Sequence, residues 1–308
     1  MSWNKEVDVV VVGSGAGGLL AALVAAKNHA EVLVVEKDRQ WGGTSATSGG
    51  GIWIPGSDQA RAAGFEDNLE DAFTYVRGLS ADNVPDENIR AYVENAAPML
   101  RWVTANTQLR YTAQPYPDYH AENPGGSVRG YRTHLPEMFD GKLLGNDLKT
   151  QRYPSPAASL WGFLQWTFEE TYQLLFRPKG WWLGLTRNVL KYWLDWPLRF
   201  TSGKDARLTL GTALTGGLRH ALNQQNVPVW LNTPMQELVT EDCKVTGLVV
   251  ERDGKPYRIR ARKGVILAAG GFEKNQQLRD ANLPLYPEAQ ISGGVTSNTG
   301  DALLAGQA

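Results

Sequence analysis

The sequence predicts an α/β fold organised round a parallel sheet, and three observations carry that prediction. Residues 7 to 13, VDVVVVG, form a nearly continuous β-branched run, as expected of a strand buried on both faces. A G-x-G-x-x-G spacing at Gly13, Gly15 and Gly18 follows, and LLAALVAAKNHA continues it as an apolar, alanine-rich helix before EVLVVEK reads as a second strand. Ten of the chain's 33 glycines fall between residues 13 and 56, so something has to come close to bare backbone there.

The first element is therefore a compact β-α-β unit of Rossmann-like type. Orphan N–H groups at the helix N-terminus, together with its positive dipole end, favour an anion such as a pyrophosphate. Glu36 ends the second strand 18 residues after Gly18, where an acidic side chain accepts hydrogen bonds from a ribose diol. Gly13, Ser14, Gly15, Ala16, Gly17, Gly18 and Glu36 are the expected dinucleotide-binding residues of this turn. An ordinary NAD domain would run into another helix after its second strand. Here WGGTSATSGGGIWIPG offers glycines and hydroxyls with no helical period, suited to laying amides along a longer cofactor. That favours FAD. A flexible linker is the alternative, but Ile52, Trp53, Ile54 and Pro55 follow directly and are costly to leave in water.

Gly13 to Gly18, Glu36-Lys37, Gly42-Gly43-Thr44 and the run from Ser48 to Pro55, SGGGIWIP, resemble the FAD-binding segment of the fumarate reductase/succinate dehydrogenase flavoprotein superfamily. Within it they are most similar to the 3-ketosteroid Δ1-dehydrogenase branch. Fumarate reductase proper tends to carry small residues where this chain has Trp53 and Pro55. The resemblance implies FAD contacts at Lys37, Gly42, Gly43, Thr44, Ser45, Ser48, Gly49, Gly50 and Gly51. It extends along essentially the whole chain but covers only the N-terminal part of a typical family member.

Composition sets the outer bounds. With 308 residues and 42% hydrophobic content the chain can bury a sizeable core. A net charge of −1 offers no basic field for nucleic acid, and a single cysteine, Cys243, forbids an intrachain disulfide. MSWNKEVDVVVVG lacks the basic segment, apolar core and cleavage site of a secretory signal, so a cytoplasmic location is expected. The four histidines show no metal-ligand spacing, and Ser14 sits in a cofactor turn rather than a hydrolase elbow.

Residues 57 to 100 turn helical and polar, with DNLEDAFTYVRGL and DENIRAYVENAAPMLRWV both carrying apolar residues at three-to-four spacing. From about residue 102 aromatics, prolines and glycines predominate. Six of the eleven tryptophans, at 161, 166, 181, 182, 193 and 196, lie in the following stretch. Charges interrupt every apolar window there, which excludes a spanning helix. Core packing between domains is the favoured expectation for these aromatics, and a lid-like or interface-seeking helix pair with peripheral membrane contact is the alternative.

After residue 205 the cofactor domain is expected to resume. LTLGTALTGGLRHALNQQ reads as a helix with glycine contacts, VPVWLNTPMQELVTE as a strand and turn, and residues 244 to 273 as a β-hairpin, turning at Asp253-Gly254, that feeds a buried strand. The expected division is a first FAD-binding part (1–100), an aromatic-rich, partial α+β substrate or cap region (101–204), and a resumed FAD-binding part (205–308). Val265 to Phe272 and Asn298-Thr299-Gly300-Asp301 again resemble the superfamily. By that resemblance Ala269 and Gly270 pass under the cofactor, Asp301 lies near it, and backbone around Met235 meets the adenine.

The resemblance also implies the chemistry: a 3-ketosteroid is desaturated at C1–C2, a base taking the C2 proton while C1 delivers hydride to flavin N5. An external acceptor, a quinone or similar, then takes the electrons. Tyrosines serve as acid and base in the family, and Tyr119 in PYPDYHAENPGG matches the one this half contributes, as support for a second tyrosine. A small-unsaturated-acid reductase resembling fumarate reductase, and a catalytically silent FAD-binding fragment, are the competing readings. The closing SNTGDALLAGQA starts a helix without a terminal cap, from which an incomplete flavin wall, exposed apolar surface and an inactive fragment are expected.

Overall fold

The structure, a computed structural model, describes residues 2–161, 164–283, 285 and 288–307. Its central sheet has six strands in the spatial order Val229–Trp230, Val32–Val35, Lys5–Val12, Lys255–Leu267, Lys244–Arg252 and Met235–Glu241. The first four run parallel and the last two antiparallel, so the mixed α/β architecture carries a parallel sheet extended by a hairpin. Asp253 and Gly254 both take positive φ (51° and 71°), the conformation a two-residue hairpin turn demands.

The unbroken valine run is explained by two cores. Successive strand residues face opposite sides of a sheet. Val11 packs with Leu19, Leu23 and Leu218 on one side, whereas Val10 packs with Leu33, Leu248 and Ile259 on the other. Helix Ala16–Lys27 turns Leu19, Ala22 and Leu23, at i, i+3 and i+4, toward the first of these cores. Against it lies helix Leu210–Gln224. The glycine contacts expected of that second helix are present. A Cβ at Gly211 would lie 2.1 Å from the Ser45 carbonyl oxygen, and one at Gly217 would lie 2.4 Å from the Leu109 side chain. The helix is thereby seated directly beneath the segment that follows Glu36.

The polar stretch between residues 57 and 106 forms helices Asp58–Ala62, Leu69–Leu79 and Asp86–Asn106, the first two capped by the Ser57 and Asn68 side chains. A small sheet joins Ile52–Trp53 to Thr133–Pro136 and Tyr111–Ala113. VPVWLNTPMQELVTE departs from expectation. It forms two strands, Val229–Trp230 and Met235–Glu241, on opposite edges of the sheet. Asn232 at φ 51° followed by Pro234 breaks the run between them.

The tryptophan-rich stretch also corrects its favoured reading. Among the described residues, helices Phe168–Phe176, Trp181–Leu194 and Trp196–Ser202 pack round a small cluster at Leu164, Trp166 and Tyr192, and reach the main core through partly buried Leu198. Trp182, Leu183, Trp193, Leu194, Trp196 and Phe200 are 55–85% exposed. They supply no core within this chain. Three successive short helices have too many apolar positions, facing too many directions, for one shallow contact to cover.

His134 is fully enclosed: its Nε2 lies 2.7 Å from the Ser57 hydroxyl and its Nδ1 2.8 Å from the Arg132 carbonyl oxygen. The carbonyl requires a proton on Nδ1, so Nε2 accepts from Ser57. Burial pushes the His134 pKa below its ordinary 6.5, against a smaller opposing effect of the bond to Arg132. The unfolded chain therefore takes up this proton first as pH falls, and stability declines below about pH 6.5. Melting temperatures of the parent and of His134→Gln, measured from pH 7.5 downward, should diverge in slope below pH 6.5, with the variant flatter. Identical slopes would remove His134 as a source of acid sensitivity.

Candidate functional site

At the carboxyl end of the parallel strands the chain turns at Gly13, with φ 102°. A Cβ there would lie 2.4 Å from the Ala268 carbonyl oxygen, and one at Gly18 would lie 2.1 Å from that of Gly13. These two glycines are dictated by the protein's own backbone. Gly15 and Gly17 are not. Gly15 has an ordinary φ of −67°, and its Cβ would meet only Ser45 Oγ, at 3.4 Å; a Cβ at Gly17 would meet nothing within 4 Å. Both face a cleft of about 230 Å³. The space their missing side chains leave belongs to that cleft.

Ala16–Lys27 begins at this cleft with no side-chain cap and no acid in its first turn, leaving its positive end for a ligand. Ser45 Oγ accepts the Ala16 N–H at 3.0 Å. Glu36 is buried, and its carboxylate accepts hydrogen bonds from Ser14 N (2.9 Å), Ser14 Oγ (2.6 Å) and Asp38 N (2.9 Å). Ser14 Oγ in turn accepts the Gly42 N–H at 3.1 Å. Opposite stands Lys37, whose Nζ donates to Asp301 Oδ2 and Thr299 Oγ1, both at 2.6 Å. Burial works against the Asp301 carboxylate, but hydrogen bonds from Lys37 and Thr299 outweigh it and hold the group below the usual carboxylate range.

Of the residues expected from the sequence, Gly13, Ser14, Gly15, Ala16, Gly17, Glu36, Lys37, Gly43, Thr44, Ser45, Met235, Ala269, Gly270 and Asp301 line this one cleft. Gly18, Gly42, Ser48, Gly49, Gly50 and Gly51 stand outside its lining. Gly50 is bare for a different reason: with φ 65°, its Cβ would fall 2.5 Å from the backbone of Leu210. Gly42, at φ 111°, is pressed against Ala46 and Thr215. Ser48 accepts the Gly211 N–H through its carbonyl, tying its segment to the helix beneath. Val12, Val35, Thr233, Ala268, Ser297 and Asn298 complete the lining and were missed. Thr233 could have been found, because it follows a parallel strand at the sheet's carboxyl edge, where ligands of such sheets bind. Tyr119 lies in the loop between the Tyr111–Ala113 and Thr133–Pro136 strands, entirely exposed and outside the cleft's lining.

Residues 8–308 match the family model described as FAD binding domain. The chain belongs to this FAD-binding family. It is 39% identical to a 3-oxosteroid 1-dehydrogenase of Comamonas testosteroni, over 99% of this chain and 53% of that protein. The solved 3-ketosteroid delta1-dehydrogenase of Sterolibacterium denitrificans, in complex with 1,4-androstadiene-3,17-dione, superimposes with a TM-score of 0.91 at 40% identity, over 99% of this chain and 55% of that one. A flavocytochrome c3 fumarate reductase shares the fold, with a TM-score of 0.65 at 22% identity over 99% of this chain and 41% of that one. The chain spans about half the length of the curated relatives it matches. FAD is the cofactor of this flavoprotein family, and the cleft suits it: open glycines at a helix start, a buried carboxylate at the second strand's end, and Met235 in the same lining.

The two kinds of glycine make a direct test. Gly15→Ala should leave the melting temperature within a few degrees of the parent and weaken FAD binding at least tenfold, because its methyl enters the cleft. Gly18→Ala should destabilise the fold itself by about 1–3 kcal/mol through overpacking. Thermal melts and flavin-fluorescence titration distinguish them. Parental FAD affinity in Gly15→Ala would place the cofactor elsewhere.

Proposed function

We propose that this chain is the FAD-binding portion of a flavin-dependent dehydrogenase that introduces a C1–C2 double bond into a 3-ketosteroid. The observation that carries the reading is the extent of the likeness. The matches, at 39–40% identity, cover 99% of the chain and so reach far beyond the glycine turn that any dinucleotide domain could carry. Residues 1–100 and 205–308 form one cofactor domain in this reading, with 101–204 as an inserted cap over the substrate. The amides near Gly15 and Gly17 take the pyrophosphate, Glu36 a ribose hydroxyl, and Met235 the adenine.

When bound, flavin supplies the acceptor for the hydride that leaves C1. The chain's own part is to grip and orient that cofactor and to present the Tyr119 phenol, which supports removal of the C2 proton. An acid-reducing enzyme like fumarate reductase would need several cations converging on a dicarboxylate. The likeness to that group is one of fold, at 22% identity.

A second reading concerns where the substrate comes from. The seven exposed large apolar side chains of helices Trp181–Leu194 and Trp196–Ser202 are accompanied by exposed Arg177, Lys179, Arg187 and Lys191. Aromatics flanked by long cationic side chains suit an anionic bilayer surface, from which an apolar steroid and a quinone-like electron acceptor are both available. Among the described residues no helix is long and apolar enough to cross a membrane, so this contact is peripheral.

In FAD-loaded protein extended to the full length of its relatives, anaerobic mixing with androstenedione should bleach the flavin, and Tyr119→Phe should slow turnover by roughly one to three orders of magnitude at unchanged flavin content. Bound FAD without bleaching would leave a cofactor-binding role alone. Oxidation of the reduced flavin by fumarate, without bleaching by steroid, would favour the acid-reducing reading. In flotation assays the protein should rise with vesicles containing phosphatidylserine, and Trp193→Ser with Trp196→Ser should abolish this. Equal flotation of parent and variant would remove these side chains from the contact.

A further inference from the structure

Beneath Tyr119 lies a buried ion cluster that neither the cofactor cleft nor the fold's main core requires. Arg132 donates to Asp67 through Nε and Nη2, at 3.1 and 2.8 Å, and to Asp118 Oδ2 through Nη1 at 3.0 Å. All three side chains are at most 3% exposed. Asp118 accepts two further bonds, from Ser127 N at 2.9 Å and from the Trp53 indole Nε1 at 2.7 Å. The Arg132 guanidinium also lies over the Trp53 ring, 5.4 Å from its centroid. Buried ion clusters contribute little stability beyond what apolar packing would supply, but removing one partner strands a charge, so they fix geometry strongly.

What they fix is the loop carrying Tyr119. On one side of the tyrosine, Asp118 is held by the Ile52–Trp53 strand, 65 residues away, and by two points on the far limb of its own loop, Ser127 and Arg132. On the other, the His120 N–H donates to Tyr75 Oη at 3.3 Å, and Tyr75 itself stacks on Trp53. The loop folds so tightly that a Cβ at Gly125 would lie 2.1 Å from the Asp71 carbonyl oxygen and one at Gly130 would lie 2.3 Å from that of Tyr116. Both neighbours of Tyr119 are anchored while its own side chain is wholly exposed. An irregular loop with this much internal restraint fixes the backbone from which the exposed phenol projects.

We propose that Asp118, Arg132 and Trp53 are positioning residues for the Tyr119 phenol, and that the Trp53 Nε1–H to Asp118 Oδ1 bond registers the tyrosine on the Ser48–Pro55 segment leading out of the flavin cleft. The inference rests on the reading that Tyr119 acts on the substrate. Trp53 is then the residue that couples cofactor position to phenol position. A displacement of about 1 Å between reacting groups costs on the order of a hundredfold in rate, so even partial loosening should be measurable.

Trp53→Phe deletes the Nε1–H donor and shortens the ring, but keeps an aromatic face toward Tyr75 and leaves the partners Arg132, Asp67 and Asp118 in place. In the FAD-loaded holoenzyme turning over a 3-ketosteroid, it should lower kcat roughly tenfold with KM nearly unchanged, and should cost nothing further in a Tyr119→Phe background. An equal loss in both backgrounds would overturn the positioning role while leaving Tyr119 in place. Parental turnover by Tyr119→Phe alone would instead overturn the reading of the tyrosine, and this inference with it. A second measurement needs no turnover. Amide hydrogen exchange at Asp118, His120 and Ser127 should be slow in the parent and at least tenfold faster in Trp53→Phe and in Asp118→Asn. Fast exchange already in the parent would show the loop to be unrestrained and the proposal wrong.

Discussion

The Glu36 carboxylate is the constraint on which the rest of the site depends. It accepts both the N–H and the hydroxyl of Ser14, and the same hydroxyl accepts the N–H of Gly42. One buried carboxylate thus fastens the glycine turn to the end of the second strand and, through Ser14, fixes where the chain departs toward Gly43, Thr44 and Ser45. Hydrogen bonds to a charged group are the stronger ones, and a buried carboxylate without its donors would be costly. Glu36 therefore shapes the glycine-turn end of the cleft through bonds within the chain alone.

Much of this was legible in the sequence, for reasons that differ residue by residue. The valine run, the alanine-rich helix and the Asp253-Gly254 turn each encode their structure locally, so periodicity and turn chemistry found them. The glycine cluster was legible as a cluster but not in its division of labour. Gly15 and Gly17 are bare toward the cleft, whereas Gly13, Gly18, Gly42 and Gly50 are bare toward other parts of the protein. Only the fold shows which backbone lies 2.4 Å from a Cβ at Gly13, because Ala268 is remote in sequence. Ser297 was illegible for the same reason, since only the fold brings it to the cleft. Thr233 and Asn298 carried a signal, the one at the end of a parallel strand and the other inside the Asn298-Thr299-Gly300-Asp301 motif, but neither signal by itself names a residue of the lining.

The aromatic helices failed as core for a physical reason that sequence reading underweights. Tryptophan and leucine are equally apolar whether the surface they cover is protein or lipid, so composition reports the amount of apolar surface and not its partner. Of the charges that exclude a spanning helix, Glu169, Arg177, Lys179, Arg187 and Lys191 are exposed, whereas Glu170 is engaged by Arg207 and Asn188 and Asp195 by Lys142.

The cleft is assembled from segments spread over nearly the whole chain, from Val12 to Asp301, and this ties cofactor binding to folding. The Lys37–Asp301 pair joins residues 264 apart in sequence across one wall. Such a contact forms only when the intervening sheet is in order, since loop closure over that distance has to be offset by the packing that accompanies it. An unfolded or half-folded chain consequently presents no FAD site, and the cofactor binds the native state alone. By mass action, FAD at a hundred times its dissociation constant would then add about 2.7 kcal/mol to the stability of the fold. That is comparable to deleting or restoring one well-buried side chain, so the cofactor is in effect a further element of the core between the two ends of the chain.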